Sequence, residues 1–242
     1  MADALFELPR LARIYDTIDG PRYDLDHYEA IVSELRAQAV LDVGCGTGTF
    51  ACRLAASGRS VTALDPAAAS LDVARSKDNA AGVTWIHGDV SALPDGAVDL
   101  ATMTGNVAQV FVGDDEWQRA LGAIRNALRP NGHLVFEARE PASRDWEHWT
   151  RRASLAAYDT PTDGRVEHWV ELTDVALPLV SFRHHYVFES DGERLCSDST
   201  LRFRPSDEIA HDLIAHGYTI VDIREAPDRP AKENVFIARS VP

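Results

Sequence analysis

Between Val40 and Phe50 the chain reads VLDVGCGTGTF, so that Gly44, Gly46 and Gly48 alternate with Cys45 and Thr47 just after an apolar run holding Asp42. A glycine has no Cβ, which lets the backbone turn sharply and approach a ligand closely. Two further carboxylates close apolar runs downstream: Asp65 ends SVTALD, and Asp89 follows GVTWIHG. One Asp after a strand is ordinarily a turn or cap residue. In equivalent places on neighbouring strands, however, Asp42, Asp65 and Asp89 make an acidic rim. A dinucleotide-binding loop wants its last glycine one place later, where Thr49 stands, and the nearest basic residue in sequence is Arg53. Like charges repel, so such a rim disfavours a pyrophosphate and favours a ligand with positive charge and several hydroxyl and amino donors.

The elements that must position these residues alternate along the chain. AVLDV, SVTALD, GVTWIHGD, AVDLATM and HLVFEA read as strands. TFACRLAAS, PAAASLDVARSK and DEWQRALGAIRNAL read as helices between them, with Pro66 opening the second and RPNG ending the third. In the third helix Trp117, Leu121, Ile124 and Leu128 share a face. Short apolar strands separated by helices make a mostly parallel sheet covered on both sides, with its ligand outside the carboxyl ends of the strands. Before the first strand, HYEAIVSELRAQ is a helix and YDTIDGPRYDLD a loop. After Pro141 the pattern changes to RVEHWVELTDV, LVSFRHHYVFES and RLCSDSTLRFR, three antiparallel strands, with a tight turn at Asp191-Gly192. The helix SDEIAHDLIAHG, N-capped by Ser206, then leads to YTIVDIR and NVFIARS, an antiparallel pair closing the sheet.

A net charge of −14 argues against a nucleic-acid backbone as main partner. The apolar runs are strand-sized and the N-terminus has no signal-peptide pattern, so neither a membrane span nor secretion is expected. Cys45, Cys52 and Cys196 lack disulfide or metal spacing and read as reduced thiols of a cytoplasmic protein without a metal site.

S-adenosylmethionine, with its sulfonium, ammonium, ribose diol and adenine amino group, is a ligand of the kind the acidic rim selects. The segments VLDVGCGTG, VTALD, IHGDV and ALRPNGHLVF, at these spacings, resemble the Rossmann-like class I S-adenosylmethionine-dependent methyltransferases of the small-molecule type. The resemblance implies an α/β fold with a mostly parallel seven-stranded sheet and helices on both faces, to which the three-stranded antiparallel sheet is added. On that basis residues 1–38 are an N-terminal lid and helix, 39–140 and 205–242 the core, and 141–204 the insertion. It also implies that Gly44, Cys45, Gly46 and Gly48 pass under the methionine part of the cofactor. Asp42 then holds its amino end, Asp65 takes both ribose hydroxyls, Asp89 and Val90 read the adenine, and Thr104 to Gln109 face the sulfonium. Tyr23, Pro66 and Gly88 complete the cofactor set, although Gly88 reads first as a turn; Tyr15 and Tyr23 read equally as aromatic lids or as core packing, and Arg22 as a surface residue before a partner of the cofactor carboxylate.

Methyl transfer from a sulfonium is an in-line displacement that needs alignment and exclusion of water, not a covalent nucleophile. An oxygen acceptor wants a base and a nitrogen acceptor a free lone pair. The candidates for a base are His184, His185 and Glu140, each read more readily as a packed or solvated side chain, and alternation points the two histidines to opposite faces. Cys45 at a helix N-terminus is expected to have a lowered pKa yet to serve in packing, as are Trp146 and Trp149. The stretch MTGNV after the fourth strand is not the Asn/Asp-Pro-Pro-aromatic run of nucleic-acid amino methyltransferases, which leaves a small organic acceptor. The insertion is open to two roles, substrate roof and homodimer contact. Competing readings are a non-catalytic S-adenosylmethionine-binding protein and a nicotinamide-dependent oxidoreductase.

Overall fold

A computed structural model describes residues 2–96 and 98–241, leaving Met1, Pro242 and Ala97, the first residue of the expected fourth strand, outside the described residues. Helices α1 (Ala4–Glu7), α2 (Pro9–Asp19) and α3 (Asp24–Glu34) precede the sheet. The alternating region follows as β1 (Ala39–Val43), α4 (Thr49–Ala56), β2 (Ser60–Asp65), α5 (Ala68–Arg75), β3 (Val83–His87), β4 (Val98–Met103), α6 (Asp114–Ala127) and β5 (Leu128–Arg139). Then come α7 (Arg151–Ser154), β6 (Ala156–Thr160), β7 (Gly164–Ala176), β8 (Leu179–Phe188), β9 (Arg194–Arg202), α8 (Ser206–Ala215), β10 (Tyr218–Glu225) and β11 (Glu233–Ser240).

Among the described residues the strands form a seven-stranded sheet, ordered β10-β11-β5-β4-β1-β2-β3, and a four-stranded sheet, ordered β6-β7-β8-β9. In the first, β1 to β5 run parallel while β11 lies antiparallel to both β5 and β10. Strand β1 pairs with β2 on one side and β4 on the other, so the chain reverses its direction of travel at β1 and a crevice opens there. Both faces are buried, which is why the strands read as nearly continuous apolar runs. Leu41, Met103 and Phe136 pack with Trp117, Leu121 and Ile124 of α6 on one side, and Val40, Leu100 and Val135 with α3 and α4 on the other. Full burial of an aliphatic side chain such as Leu121 or Ile124 contributes about 1.5–3 kcal/mol, enough to fix the register of α6.

Several expectations are corrected. The antiparallel sheet has four strands, because Ala156–Thr160 pairs with β7 from His168 to Gly164. This edge strand is held by its partner's ladder, not by an apolar alternation of its own, and so left no pattern to read. Ser206 is the first residue of α8 and not its cap: Pro205 precedes the helix, and Ser206 Oγ donates to Glu140 Oε2 at 3.1 Å. RPNG lies within β5, where the pairing with β4 shifts between Val98↔Leu128 and Leu100↔His133 and Asn131 takes a positive φ. The segment expected as a loop from Tyr15 to Asp26 is helical up to Asp19 and again from Asp24.

The smaller sheet turns one face inward. Val166, Tyr186 and Phe188 pack with Leu5, Leu11 and Ile14 of α1 and α2, while Val180, Leu201 and Phe203 pack with Trp146. Trp146 and Trp149 therefore serve in packing as expected, the first edge-on to Phe203 and the second edge-on to Phe182. Arg10 of α2 joins Asp163, Asp191 and Glu193 and lies over the Phe188 ring, tying the N-terminal helices to the insertion.

Candidate functional site

The carboxyl ends of β1, β2 and β4 open into a cavity of about 880 Å³. Its floor is the glycine loop. Gly44, Gly46 and Gly48 all have positive φ, at 71°, 52° and 75°, which side-chain-bearing residues rarely adopt. A Cβ on Gly44 would stand 2.6 Å from Val107 Cγ2, and one on Gly48 2.6 Å from Trp85 Cη2, so packing behind the loop also demands glycine. At Gly46 a Cβ would meet nothing, because that residue faces the cavity. Leu64 O accepts the N–H groups of Gly44 and Cys45 at 2.8 and 3.1 Å, pinning the loop to β2.

The aspartates stand in different states. Asp42, 1% exposed, accepts a hydrogen bond from Thr102 Oγ1 at 3.2 Å on Oδ1, while its buried Oδ2 has no hydrogen-bond partner among the described residues. Burial pushes its carboxyl up to about 7, against the hydrogen bond from Thr102. Asp65 accepts Gly46 N–H on Oδ2 and Ala67 N–H on Oδ1, both at 2.8 Å, so it fixes the loop and the start of α5 while burial raises its pKa. Asp89 caps the turn at Val90–Ala92 by accepting Ser91 Oγ at 2.6 Å and Ser91 N–H at 2.9 Å, which lowers its pKa.

Of the cofactor set taken from the sequence, Asp42, Gly44, Cys45, Gly46, Asp65, Pro66, Asp89, Val90 and Thr104 line this cavity. Gly48 lies behind it against Trp85 and Ala74, and Gly88 forms the turn whose N–H donates to Asp65 O at 3.1 Å. Tyr23 is 76% exposed and does not reach the wall; its neighbour Arg22 does, held by Asp24 at 2.7 Å and Asp19 at 3.3 Å. Gln109 is buried behind the wall, donating to Arg202 O and accepting Arg139 N–H, both at 3.3 Å. Burial raises the Cys45 thiol well above its usual range, overriding the helix N-terminus expected to lower it.

None of the candidate bases lines the cavity. His184 lies on the inner face of the smaller sheet, its Nδ1 2.9 Å from His168 Nε2, and burial lowers its pKa to about 3. His185, on the other face, stacks on Trp169 and bonds Glu171 at 2.9 Å. Glu140 accepts from Ser206 at 3.1 Å and from Asn234 at 3.3 Å, between β5, β11 and α8. Each is satisfied by its neighbours, which is the reading alternation left open for them.

The N-terminal helices, the segment between β4 and α6, α6 itself and β9 supply the rest of the wall, including Asp3, Phe6, Tyr15, Phe111, Arg119 and Thr200. These carry no motif, and only Tyr15 was legible as a lid residue. Lys77 is a basic neighbour of the loop that sequence distance concealed: its Nζ donates to Thr49 Oγ1 at 2.7 Å and pairs with Asp16 at 2.6 Å. Asp16 also accepts Thr47 Oγ1 at 2.5 Å, so α2 is latched onto the glycine loop and the lysine charge is neutralised locally. After β4, Asn106 takes a positive φ, and its N–H donates to the buried carboxylate of Glu137, which also accepts Tyr28 Oη–H at 2.5 Å.

Residues 40–132 match the model of a family described as a methyltransferase domain. Among curated relatives, the cypemycin N-terminal methyltransferase of Streptomyces sp is 33% identical over 45% of this chain and 44% of its own. The malonyl-[acyl-carrier protein] O-methyltransferase of Serratia marcescens is 29% identical over 74% of this chain and 67% of its own. The chain spans about half the length of most of the curated relatives it matches. Among solved structures, the sugar N-methyltransferase KedS8 from Streptoalloteichus sp superposes with a TM-score of 0.79 at 19% identity, covering 100% of this chain and 96% of that one. The CcbJ methyltransferase from Streptomyces caelestis gives 0.78 at 20% identity, covering 98% and 97%. The shared fold extends through the antiparallel insertion, beyond the segment that the family model matches.

Proposed function

We propose that this chain, a class I Rossmann-like methyltransferase by domain and fold, moves a methyl group from S-adenosylmethionine to an oxygen or nitrogen of a small organic molecule by in-line displacement. One observation carries the reading. A single cavity at the reversal of strand order brings together a glycine loop, Asp65 at the end of β2, and the buried, unpartnered Oδ2 of Asp42. An orphaned carboxylate oxygen at the floor of a cleft is costly unless a cationic donor meets it, and S-adenosylmethionine supplies one. When bound, that cofactor supplies an electrophilic methyl group on sulfur.

The chain's own residues bind, orient and enclose. Asp42 meets the ammonium end, Arg22 the carboxylate, and Asp65 the ribose diol with the lone pairs that Gly46 and Ala67 leave open. Asp89 and Val90 lie where the adenine goes. Thr104 and Gly105, fixed through Asn106 and Glu137, present the face where acceptor and methyl align. Phe6 and Tyr15, with ring centroids 5.5 Å apart, close the cavity from the lid and keep water from the reacting atoms. Residues 1–38 thus form the lid, 39–140 and 205–242 the core, and 141–204 the insertion. Thr200 of β9 on the cavity wall supports the insertion as a roof, a role compatible with pairing to a second copy. Free Cys45, Cys52 and Cys196 suit a reducing compartment, and we place the protein in the cytoplasm. Among the described residues no helix is long and apolar enough to cross a membrane.

The test is calorimetry and thermal shift with S-adenosylhomocysteine and, in parallel, reduced nicotinamide dinucleotide. Binding of the first and indifference to the second are expected. The reverse preference, or binding of neither, overturns the reading.

A further inference from the structure

The outward face of the smaller sheet carries a cluster of reactive groups remote from the cofactor loop. Strand β9 sets Cys196 directly opposite His185 of β8, and β7 sets Trp169 opposite the same histidine on its other side. Cys196 is exposed, and its Sγ lies 3.5 Å from His185 Nδ1. On the far side of the ring, His185 Nε2 lies 2.9 Å from Glu171 Oε2. The imidazole stacks on Trp169, with centroids 4.7 Å and planes 5° apart, while Arg151 of α7 lies over Trp169 at 4.6 Å. The ring is therefore held at both nitrogens and across one flat side. Around it stand Glu167 of β7, Arg183 of β8, and Arg194 and Asp198 of β9. Arg183 and Asp198 are engaged with each other at 2.6 and 2.9 Å.

The partners fix the tautomer. A carboxylate only accepts hydrogen bonds, so the proton of the neutral ring sits on Nε2, facing Glu171. That leaves the Nδ1 lone pair toward the sulfur, as acceptor of the thiol proton. Nucleophile, base and orienting acid stand in a row, an arrangement that activates a weak nucleophile. For Cys45 and Cys52 burial instead raises the thiol, which disfavours attack.

We propose that Cys196, His185 and Glu171 form a thiol-exchange site that takes low-molecular-weight disulfides. As the Cys196 sulfur attacks one sulfur of the disulfide, His185 Nδ1 takes the thiol proton and Glu171 stabilises the imidazolium. A new S–S bond forms to Cys196, the old one breaks, and the departing sulfur leaves with the bonding pair as a thiolate. It then takes the proton from His185. One thiol and one disulfide are consumed and one of each is formed, so a small thiol in excess returns Cys196 to its free form. Exchange of this kind develops no oxyanion and needs no pocket of N–H donors, unlike acyl transfer. An exposed sulfur beside an oriented base suffices. None of the three residues lines the cofactor cavity, so the site stands or falls independently of the methyl-transfer reading.

The experiment uses the full chain, freshly reduced, with oxidised glutathione as the probe, and mass spectrometry maps and times the mixed disulfide. At pH 7 Cys196 should be modified ahead of Cys45 and Cys52. His185→Phe keeps a ring on Trp169 but has no base, and should lower the rate at Cys196 about tenfold or more. That deficit should close at about pH 10, where a thiol ionises without help from a base, whereas a loss of access would persist. Glu171→Gln, at a half-exposed position, should lower the rate at pH 7 by a smaller factor and serves as the test if His185→Phe does not fold. Cys196→Ser should abolish the fast modification and leave S-adenosylhomocysteine affinity unchanged. A rate at pH 7 that is unchanged in the folded variants, a His185→Phe deficit that persists at about pH 10, or modification mapped first to Cys45 or Cys52 overturns the inference. Cofactor affinity, read separately by calorimetry, decides the methyl-transfer reading.

Discussion

Asp42 gives the sharpest test of how this site works, because its carboxyl is held near 7 by burial and its Oδ2 has no partner. Without ligand the group is therefore protonated in about half of the molecules at neutral pH. A cationic ligand end seated on Oδ2 requires the ionised form, so binding must expel the proton. For a group titrating at about 7, the ionised share is roughly one in eleven at pH 6 and ten in eleven at pH 8, and apparent affinity scales with that share. S-adenosylhomocysteine should thus bind about tenfold tighter at pH 8 than at pH 6. Calorimetry at pH 7 in buffers of different ionisation enthalpy should show release of about half a proton. Asp42→Asn should flatten the pH dependence and weaken binding at pH 8.

The same group acts on stability with the opposite benefit. Asp42 in the folded chain keeps its proton between its ordinary value of 3.8 and about 7, while the unfolded chain releases it. Stability therefore falls as pH rises through that window, by up to about 4 kcal/mol at 1.36 kcal/mol per unit. Asp42→Asn should raise the melting temperature of the ligand-free protein at pH 8 and leave it little changed at pH 4. Affinity for S-adenosylhomocysteine that is independent of pH between 6 and 8, or that keeps its pH dependence in Asp42→Asn, refutes the assignment of Asp42 to the ligand cation.

Four further outcomes follow from the geometry. Asp65→Ala should weaken S-adenosylhomocysteine binding at least tenfold by calorimetry, since a hydrogen bond to a charged group contributes about 1.5–3 kcal/mol and the Gly46 anchor is lost as well; unchanged affinity in a folded variant removes Asp65 from the ribose. Gly48→Ala should destabilise by about 1–3 kcal/mol in denaturant titration, because its φ is 75° and Trp85 occupies the space a Cβ needs. His184, whose pKa burial lowers to about 3, stays neutral where the unfolded residue, near 6.5, binds a proton, so stability is lost as pH falls from 6.5 towards 3; His184→Phe should make that acid limb shallower in denaturant titrations across this range, the remainder coming from His168, lowered to about 4. Tyr28→Phe takes a donor from buried Glu137 and should cost about 1–3 kcal/mol, with a larger effect on kcat than on cofactor affinity if the Asn106 turn aligns the acceptor.

Much of the core was legible because its physics is local. VLDVGCGTG ends a strand and turns on glycines, Asp65 and Asp89 follow apolar runs of strand length, and the α6 face of Trp117, Leu121 and Ile124 repeats at helical period. Edge strand β6 was not legible, since Ala156–Thr160 owes its conformation to pairing with β7. Nor were Asp3, Phe6, Arg119 and Thr200, which come from three distant segments and meet at one wall. Tyr23 was selected as a lid by residue type and proximity, yet the turn after α2 sends it to solvent and directs Arg22 inward. The sequence by itself thus determined the sheet, the glycine loop and the acids at the strand ends, because backbone conformation and strand-end position are set by neighbours along the chain. Only the tertiary structure decided which of those acids lacks a partner, which histidines are spent in packing, and which lid residues face the cleft. Those are questions of burial and pairing between residues far apart in the chain, and no local pattern encodes them.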